Sequence, residues 1–344
     1  MSKTVLVTGG AGFIGSSFVH YLKAKYPDYK ILILDALTYA GEFGNLPDGV
    51  NDPNESQIQF SYGNVCNQGL VSSLAKDADI VVHFAAETHV TRSIFDNLVF
   101  FETDVLGTHA VMNAVIDSGK IERFIHISTS EVYGTAVTDF MTEEHPLNPS
   151  SPYASAKCGA DRLVYSYWET YKMPAVIVRP FNNYGPRQHL EKVIPRFITS
   201  ALMDEQMTVH GGGTSSRDFI HVDDTCRALD LVMHAPINKI SGEVFNIASG
   251  VDRSVISLAQ DIAGNMNADS DKIVFVGERP GQVLRHTGDS SKIERVLGWK
   301  QKISWEDGLK KTIEWFENNR SQWEKQLWMR HIPIRTASGK MELH

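Results

Sequence analysis

Between the first apolar run of this chain and its first helical stretch stands the octapeptide TGGAGFIG, residues 8–15, and no other feature constrains the fold as strongly. Its glycines Gly9, Gly12 and Gly15 have the spacing GxxGxxG. Glycine at such a turn permits a tight bend, close approach of backbone to a pyrophosphate, and close packing of helix on strand. The helix that opens behind it offers unpaired N–H groups to an anion.

The rest of the first half continues that pattern. Short β-branched runs predict strands at Thr4–Thr8, Lys30–Asp35, Ile58–Tyr62, Ile80–Phe84, Arg123–Ser128 and Ala175–Arg179. Helical periodicity fills the gaps at Phe13–Lys25, Val105–Ser118 and Ala154–Tyr171. Strands that alternate with helices and are apolar throughout belong to a parallel sheet covered on both faces. The expected fold is therefore α/β: a doubly wound parallel Rossmann sheet with a smaller, interleaved α/β substrate lobe. Residues 1–180 are expected to form the dinucleotide-binding domain. Segments from about 218 to 250, including Asp224–His234 and Glu243–Ile247, return to it. Residues 181–217 and 251–344, with amphipathic helices at Val255–Met266 and Trp305–Asn318, make the second lobe.

Composition removes several function classes. A formal net charge of −8 argues against a nucleic-acid binder, which needs a basic face to displace counterions from phosphates. Cys66, Cys158 and Cys226 are widely separated and include no CxxC pair, which suits a reducing cytoplasm. No apolar run reaches membrane-spanning length and no leader precedes the first strand, so a soluble cytoplasmic protein is expected. The thirteen histidines show no ligand spacing such as HExxH, and no metal is expected.

Asp35 ends the second strand, twenty residues beyond Gly15. A carboxylate there can accept both ribose hydroxyls of an adenosine and would repel the extra phosphate of NADP, so the expected cofactor is NAD. Phe13 and Ile14 complete the glycine turn, and Thr38 follows Asp35 closely. Asn64 and Val65 follow the third strand, where they can meet the adenine edge. Phe84, Ala85 and Ala86 follow the fourth, where small side chains leave room for the cofactor.

Two further stretches carry chemistry. In SPYASAK, Tyr153 and Lys157 lie four apart on one helix face. A tyrosine hydroxyl titrates near ~10 in water. A neighbouring ammonium and a positive nicotinamide ring would favour the phenolate, so that Tyr153 takes a hydroxyl proton while hydride leaves the same carbon. Upstream, HISTSEVYG puts Thr129, Ser130 and Glu131 at the carboxyl edge of the sheet. Thr129 can hydrogen-bond the hydroxyl being oxidised. Glu131 is not needed for oxidation at one carbon, but beside a new ketone it can remove the acidified proton on the adjacent carbon.

TGGAGFIG, Asp35, STSEVYG and YASAK together resemble the extended short-chain dehydrogenase/reductases, up to roughly Trp299. LDALTYAGEFGNL, HFAAETHVTRSI, FNNYGPRQHLEKVIPRFI and SSRDFIHVDD are most similar to the nucleotide-sugar 4,6-dehydratases, the dTDP-glucose enzymes in particular. The resemblance implies oxidation at C4 by Tyr153 and NAD, loss of water across C5 and C6, return of the hydride to C6, and a homodimer built on two long helices per subunit. It implies that Asn182, Arg217 and Asn246 meet the nucleotide diphosphate. Thr88, Lys192, Arg279 and Arg285 are further candidates for the sugar-nucleotide end.

Ser130 departs from the dTDP-glucose pattern, in which an Asp at that position protonates the leaving hydroxyl. GDP-mannose 4,6-dehydratases are similar to this chain in having Ser followed by Glu, which implies one glutamate acting first as base and then as acid. UDP-glucuronate decarboxylases and some UDP-glucuronate 4-epimerases carry a similar TSE stretch, so these activities stay open, as does a catalytically silent NAD-binding regulatory protein of the same fold.

Overall fold

The first strand, β1 (Thr4–Thr8), buries Val5, Leu6 and Val7 completely. Successive side chains of a strand point to opposite faces. Val5 and Val7 accordingly pack with Phe18, Leu22, Leu229 and Val232 on one side, while Leu6 packs with Val71, Val111, Val115 and Val164 on the other. A strand that is apolar at every position is thus explained by helices on both faces, each buried Val or Leu contributing about 1.5–3 kcal/mol.

The computed structural model describes residues 2–54, 57–277, 283–331, 333–335 and 340–343. β1 is joined by β2 (Lys30–Asp35), β3 (Ile58–Tyr62), β4 (Ile80–His83), β5 (Arg123–Ile127) and β6 (Ala175–Pro180). Beyond them come β7 (Asn182–Tyr184), β8 (Met207–His210), β9 (Ser216–His221), β10 (Val244–Ile247), β11 (Asp252–Ser254) and β12 (Ile273–Val276). The large sheet has the order β10-β6-β5-β4-β1-β2-β3, with every pairing parallel. The chain reverses direction across the sheet between β1 and β4, the kind of crossover point at which open α/β sheets bind ligands.

Helices Phe13–Lys25, Val222–His234, Gln68–Ala75, Thr108–Ser118 and Pro152–Tyr171 supply the covering faces. β7, β9 and β11 form a separate three-stranded sheet, and β8 pairs with β12. These small sheets pack with helices Val193–Leu202, Val255–Met266 and Trp305–Asn318 around a core of their own that includes Phe197, Leu258, Ile262, Leu309 and Phe316. Among the described residues, no helix is long and apolar enough to cross a membrane.

Some bounds differ from those expected. β4 and β5 each stop one residue early, at His83 and Ile127, which frees the following residues for loops. The helix carrying Tyr153 begins at Pro152, capped by the Ser151 side chain, which accepts from the Ala154 N–H at 3.1 Å. Proline suits a first helical position because its missing N–H would have no partner there. The helix expected from Val105 begins at Leu98 and widens into a π-helical turn over Phe101–Gly107 before resuming at Thr108. Such turns insert a residue into the helical register and re-aim side chains.

Candidate active site

A cavity of about 430 Å³ runs along the carboxyl ends of β1, β2, β4, β5 and β6 and under the second lobe. The turn after β1 forms its floor. Gly9 has φ of +69°, and a Cβ there would lie 2.6 Å from the Ala85 nitrogen. At Gly15 a Cβ would lie 2.2 Å from the Gly9 carbonyl oxygen. Only glycine permits this close packing of turn, helix and neighbouring strand. The helix beyond begins at Gly12, where no side chain caps its first turn, and Phe13 and Ile14 line the cavity.

Asp35 sits at the end of β2 and is 8% exposed. Its Oδ2 accepts from the Ala11 N–H and its Oδ1 from the Leu37 N–H, both at 2.8 Å. Burial pushes its carboxyl up, and these two bonds oppose that. Each oxygen keeps a second lone-pair direction. Thr38, Asn64, Val65, Phe84, Ala85 and Ala86 line the same end of the cavity. A backbone cradle with no room for Cβ atoms and a fixed acceptor pair at the next strand end fit a dinucleotide.

Thr129, Ser130, Glu131, Tyr153 and Lys157 line the cavity together. Thr129 caps the short turn Ser130–Tyr133 through a 3.2 Å bond from the Glu131 N–H to its Oγ1, and its side chain is near enough to Tyr153 to act on that phenol. Lys157 is buried and donates to the Ile127 carbonyl at 2.8 Å. Burial pushes the Tyr153 phenol well up; the Thr129 side chain opposes this, whereas Asp104, Glu131 and Glu191 add to it. Burial also lowers Lys157, against Asp104 and Asp161. The chain alone therefore keeps Tyr153 protonated at neutral pH. The acidification expected of Lys157 and a positive nicotinamide ring together works against this burial.

Thr88, Asn182, Lys192 and Arg217 also line the cavity. Lys192 Nζ donates to the Thr88 carbonyl at 2.7 Å and pairs with Glu191 at 3.0 Å. Burial opposes ionisation of Glu191, yet Lys192, His89 and His189 hold its carboxyl down at about 2. Arg217 Nη1 donates to the carbonyls of Ser216 and Val283, and its Nε lies 3.9 Å from Glu131 Oε1. A largely buried guanidinium with donors still directed at a cavity suits a phosphate.

A family model described as GDP-mannose 4,6 dehydratase matches residues 6–312. The chain belongs to that family. A low-salt glycan biosynthesis protein, Agl12, of Haloferax volcanii is 44% identical, over 91% of this chain and 98% of its own. The dTDP-D-glucose 4,6-dehydratase of Mus musculus is 40% identical, over 94% and 91%. Among solved structures, the crystal structure of DesIV, a dTDP-glucose 4,6-dehydratase from Streptomyces venezuelae with NAD and TYD bound, superposes with a TM-score of 0.89 at 40% identity, covering 94% of this chain and 99% of that one.

Two residues expected at the substrate end of this dehydratase-family chain lie elsewhere. Asn246 is fully buried; its amide donates to the Met141 carbonyl at 3.0 Å and its Oδ1 accepts from the Tyr133 hydroxyl at 2.7 Å, so it braces β10 away from the cavity. Arg285 donates to the carbonyls of Asp139 and Thr138, and its side chain lies over that loop instead of in the cavity. Arg279 falls outside the described residues.

Other residues of the site escaped the sequence reading. Glu191 is adjacent to Lys192, and a carboxylate next to an expected phosphate-binding lysine was the available signal. Glu87 and Thr103 reach the cavity because the π-helical turn at Phe101–Gly107 brings Asp104 Oδ1 within 2.8 Å of the Glu87 N–H. No sequence pattern announces that turn. His286 touches the site from behind, 156 residues from Ser130.

Proposed function

We propose that this chain is an NAD-dependent nucleotide-sugar 4,6-dehydratase whose product is a 4-keto-6-deoxy sugar nucleotide. The observation that carries the reading is the Glu131 carboxylate lining the same cavity as Thr129, Tyr153 and Lys157, in a chain 40% identical to an NAD-bound dehydratase. Gly9, Gly12, Gly15 and Asp35 would hold NAD, which would supply a reversible hydride acceptor and a positive ring charge beside Tyr153.

Tyr153 then takes the C4 hydroxyl proton, with Thr129 orienting that hydroxyl and Lys157 adding positive charge behind the phenol. The resulting ketone acidifies the C5–H bond, and Glu131 takes that proton as the C6 hydroxyl leaves. Arg217, Asn182 and Lys192 hold the diphosphate end, which makes binding of the remote nucleotide serve positioning of the sugar. Elimination needs a base at C5, which Glu131 can supply, whereas simple C4 epimerisation does not; the glutamate supports the first reading, although a similar TSE stretch occurs in some UDP-glucuronate 4-epimerases.

Incubation with dTDP-, UDP-, GDP- and CDP-hexoses tests the reading: one of them is expected to yield a product with a C6 methyl resonance and the alkaline absorbance of a 4-keto sugar. Formation of only a C4 epimer or of carbon dioxide would overturn it.

The helices over 98–118 and 152–171 also carry Leu98, Phe101, Leu106 and Tyr165 exposed, at 62%, 40%, 58% and 39%. An apolar face of this kind supports a homodimer, to be checked by sedimentation equilibrium.

A further inference from the structure

With a serine at position 130, the acid for the departing C6 hydroxyl is either Glu131 itself, returning the proton it took from C5, or a second route from Glu131 to the leaving oxygen. A serine hydroxyl can pass a proton on only if another group resupplies it at once. His286 is placed to do so. Its ring is fully buried, edge-on to Phe181, and its backbone N–H donates to the Ser216 carbonyl at 3.2 Å. Nε2 lies 2.6 Å from the Gly134 carbonyl oxygen. A carbonyl oxygen only accepts, so Nε2 carries the hydrogen and Nδ1 of the neutral ring presents a bare lone pair. That lone pair faces two atoms, Ser130 Oγ at 3.5 Å and Glu131 Oε1 at 3.9 Å.

We propose that His286 and Ser130 form a relay that carries the proton collected by Glu131 across to the departing C6 hydroxyl. The proposal rests on the dehydratase reading. The Ser130 contact is at the outer limit of hydrogen bonding and the Glu131 contact lies beyond it, so the relay requires substrate to draw the site together, as catalytic contacts often do.

The step balances as follows. The C5–H bond breaks and its proton goes to Glu131, while the electron pair forms the C5–C6 double bond as the C6–O bond breaks. Glu131 passes the proton to His286 Nδ1. His286 passes it to Ser130 Oγ as Ser130 gives its own hydrogen to the departing oxygen, which leaves as water. Glu131 ends as a carboxylate, His286 as a neutral ring and Ser130 as a hydroxyl, their starting states. His286 touches no substrate in this scheme and is a positioning residue acting through Ser130. The ring must begin neutral, and its surroundings favour that: burial lowers its affinity for a second proton, Arg217 and His145 act in the same direction, and Glu131 opposes them.

His286→Gln, which can still donate to Gly134 but has no nitrogen able to carry the proton, and Ser130→Ala test the relay in the NAD-loaded enzyme. The probes are the nucleotide hexose that the wild type dehydrates and its 6-deoxy-6-fluoro analogue, from which fluoride leaves as an anion without needing a proton. In both variants water loss is expected to fall about 100-fold, the scale of a lost general acid. Bound NADH should still form, the C5 hydrogen should still exchange with D2O, and fluoride release should stay within roughly 3-fold of wild type, since proton delivery is the part removed.

An equal fall on both substrates would mean that the residues only hold the site together, and undiminished water loss would mean that no relay exists; either result overturns the proposal. If His286→Gln does not fold, Ser130→Ala alone must show the contrast between the two leaving groups or the relay is refuted. Failure of the wild type to dehydrate any nucleotide hexose would instead refute the parent reading, and the relay with it.

Discussion

Lys157 Nζ donates a 2.8 Å hydrogen bond to the carbonyl oxygen of Ile127, the last residue of β5. This bond ties the helix that carries Tyr153 to the strand end that carries Thr129 and Glu131. Under the proposed function, the groups that remove protons at C4 and C5 would then sit on one rigid edge, with one ammonium as tether and as charge. A Lys157→Met variant should lose both. Its rate of bound NADH formation after mixing with substrate is expected to fall about 100-fold or more, because unassisted Tyr153 is a weak base.

Glu131→Gln separates oxidation from elimination. The amide keeps the shape of the carboxylate and cannot take a proton. Product formation should fall by about 10²–10⁴-fold while bound NADH still forms. Mass spectrometry of substrate recovered from D2O should show no deuterium at C5.

Gly15→Ala tests the cradle. Its Cβ would meet three backbone atoms, the Gly9 oxygen at 2.2 Å and the Gly10 Cα and Gly9 carbonyl carbon at 3.0 Å, and none can rotate away. The helix over 13–25 must move off the turn, at a cost of about 1–3 kcal/mol. The purified variant is expected to carry little NAD and to melt several degrees below wild type, both measurable on one preparation.

Asp104 gives a pH signature. Burial pushes its carboxyl up to about 7, although Lys157 pulls it down. Against an unfolded value near ~3.9, the folded chain holds a proton between these limits that the unfolded chain has lost. Stability from this group is therefore full below about pH 4, declines as pH rises toward about 7, and is flat above. Asp104→Asn removes that decline and keeps an acceptor for the Glu87 N–H. Its melting temperature relative to wild type should rise between pH 5 and pH 8 by on the order of 3 °C. A difference independent of pH would show that Asp104 is not a buried titrating group.

Much of this is legible in the sequence, for definite reasons. β1, β2, β3 and the helix over 13–25 were readable to the residue because apolar runs end sharply at glycine, proline or charged residues there. The cofactor turn and the Tyr153–Lys157 pair are local, so spacing alone brings them together. Asn246 misled because position in a strand does not give facing: its register opposite Arg179 turns the amide toward Tyr133 and Met141. Arg285 misled similarly, since its backbone pairs with Ser216 beside the site while its side chain points to the 138–139 loop. His286 and Asp104 could not be read at all. One depends on a contact across 156 residues, the other on a π-helical turn without a composition signal.

The central claim is that one hydrogen moves within one sugar from C4 to C6 while Glu131 opens the path between them. A nucleotide hexose labelled with deuterium at C4, turned over in ordinary water without added cofactor, tests it most directly. The account requires deuterium in the C6 methyl group of the 4-keto product. Deuterium retained at C4, or lost to solvent, would contradict it.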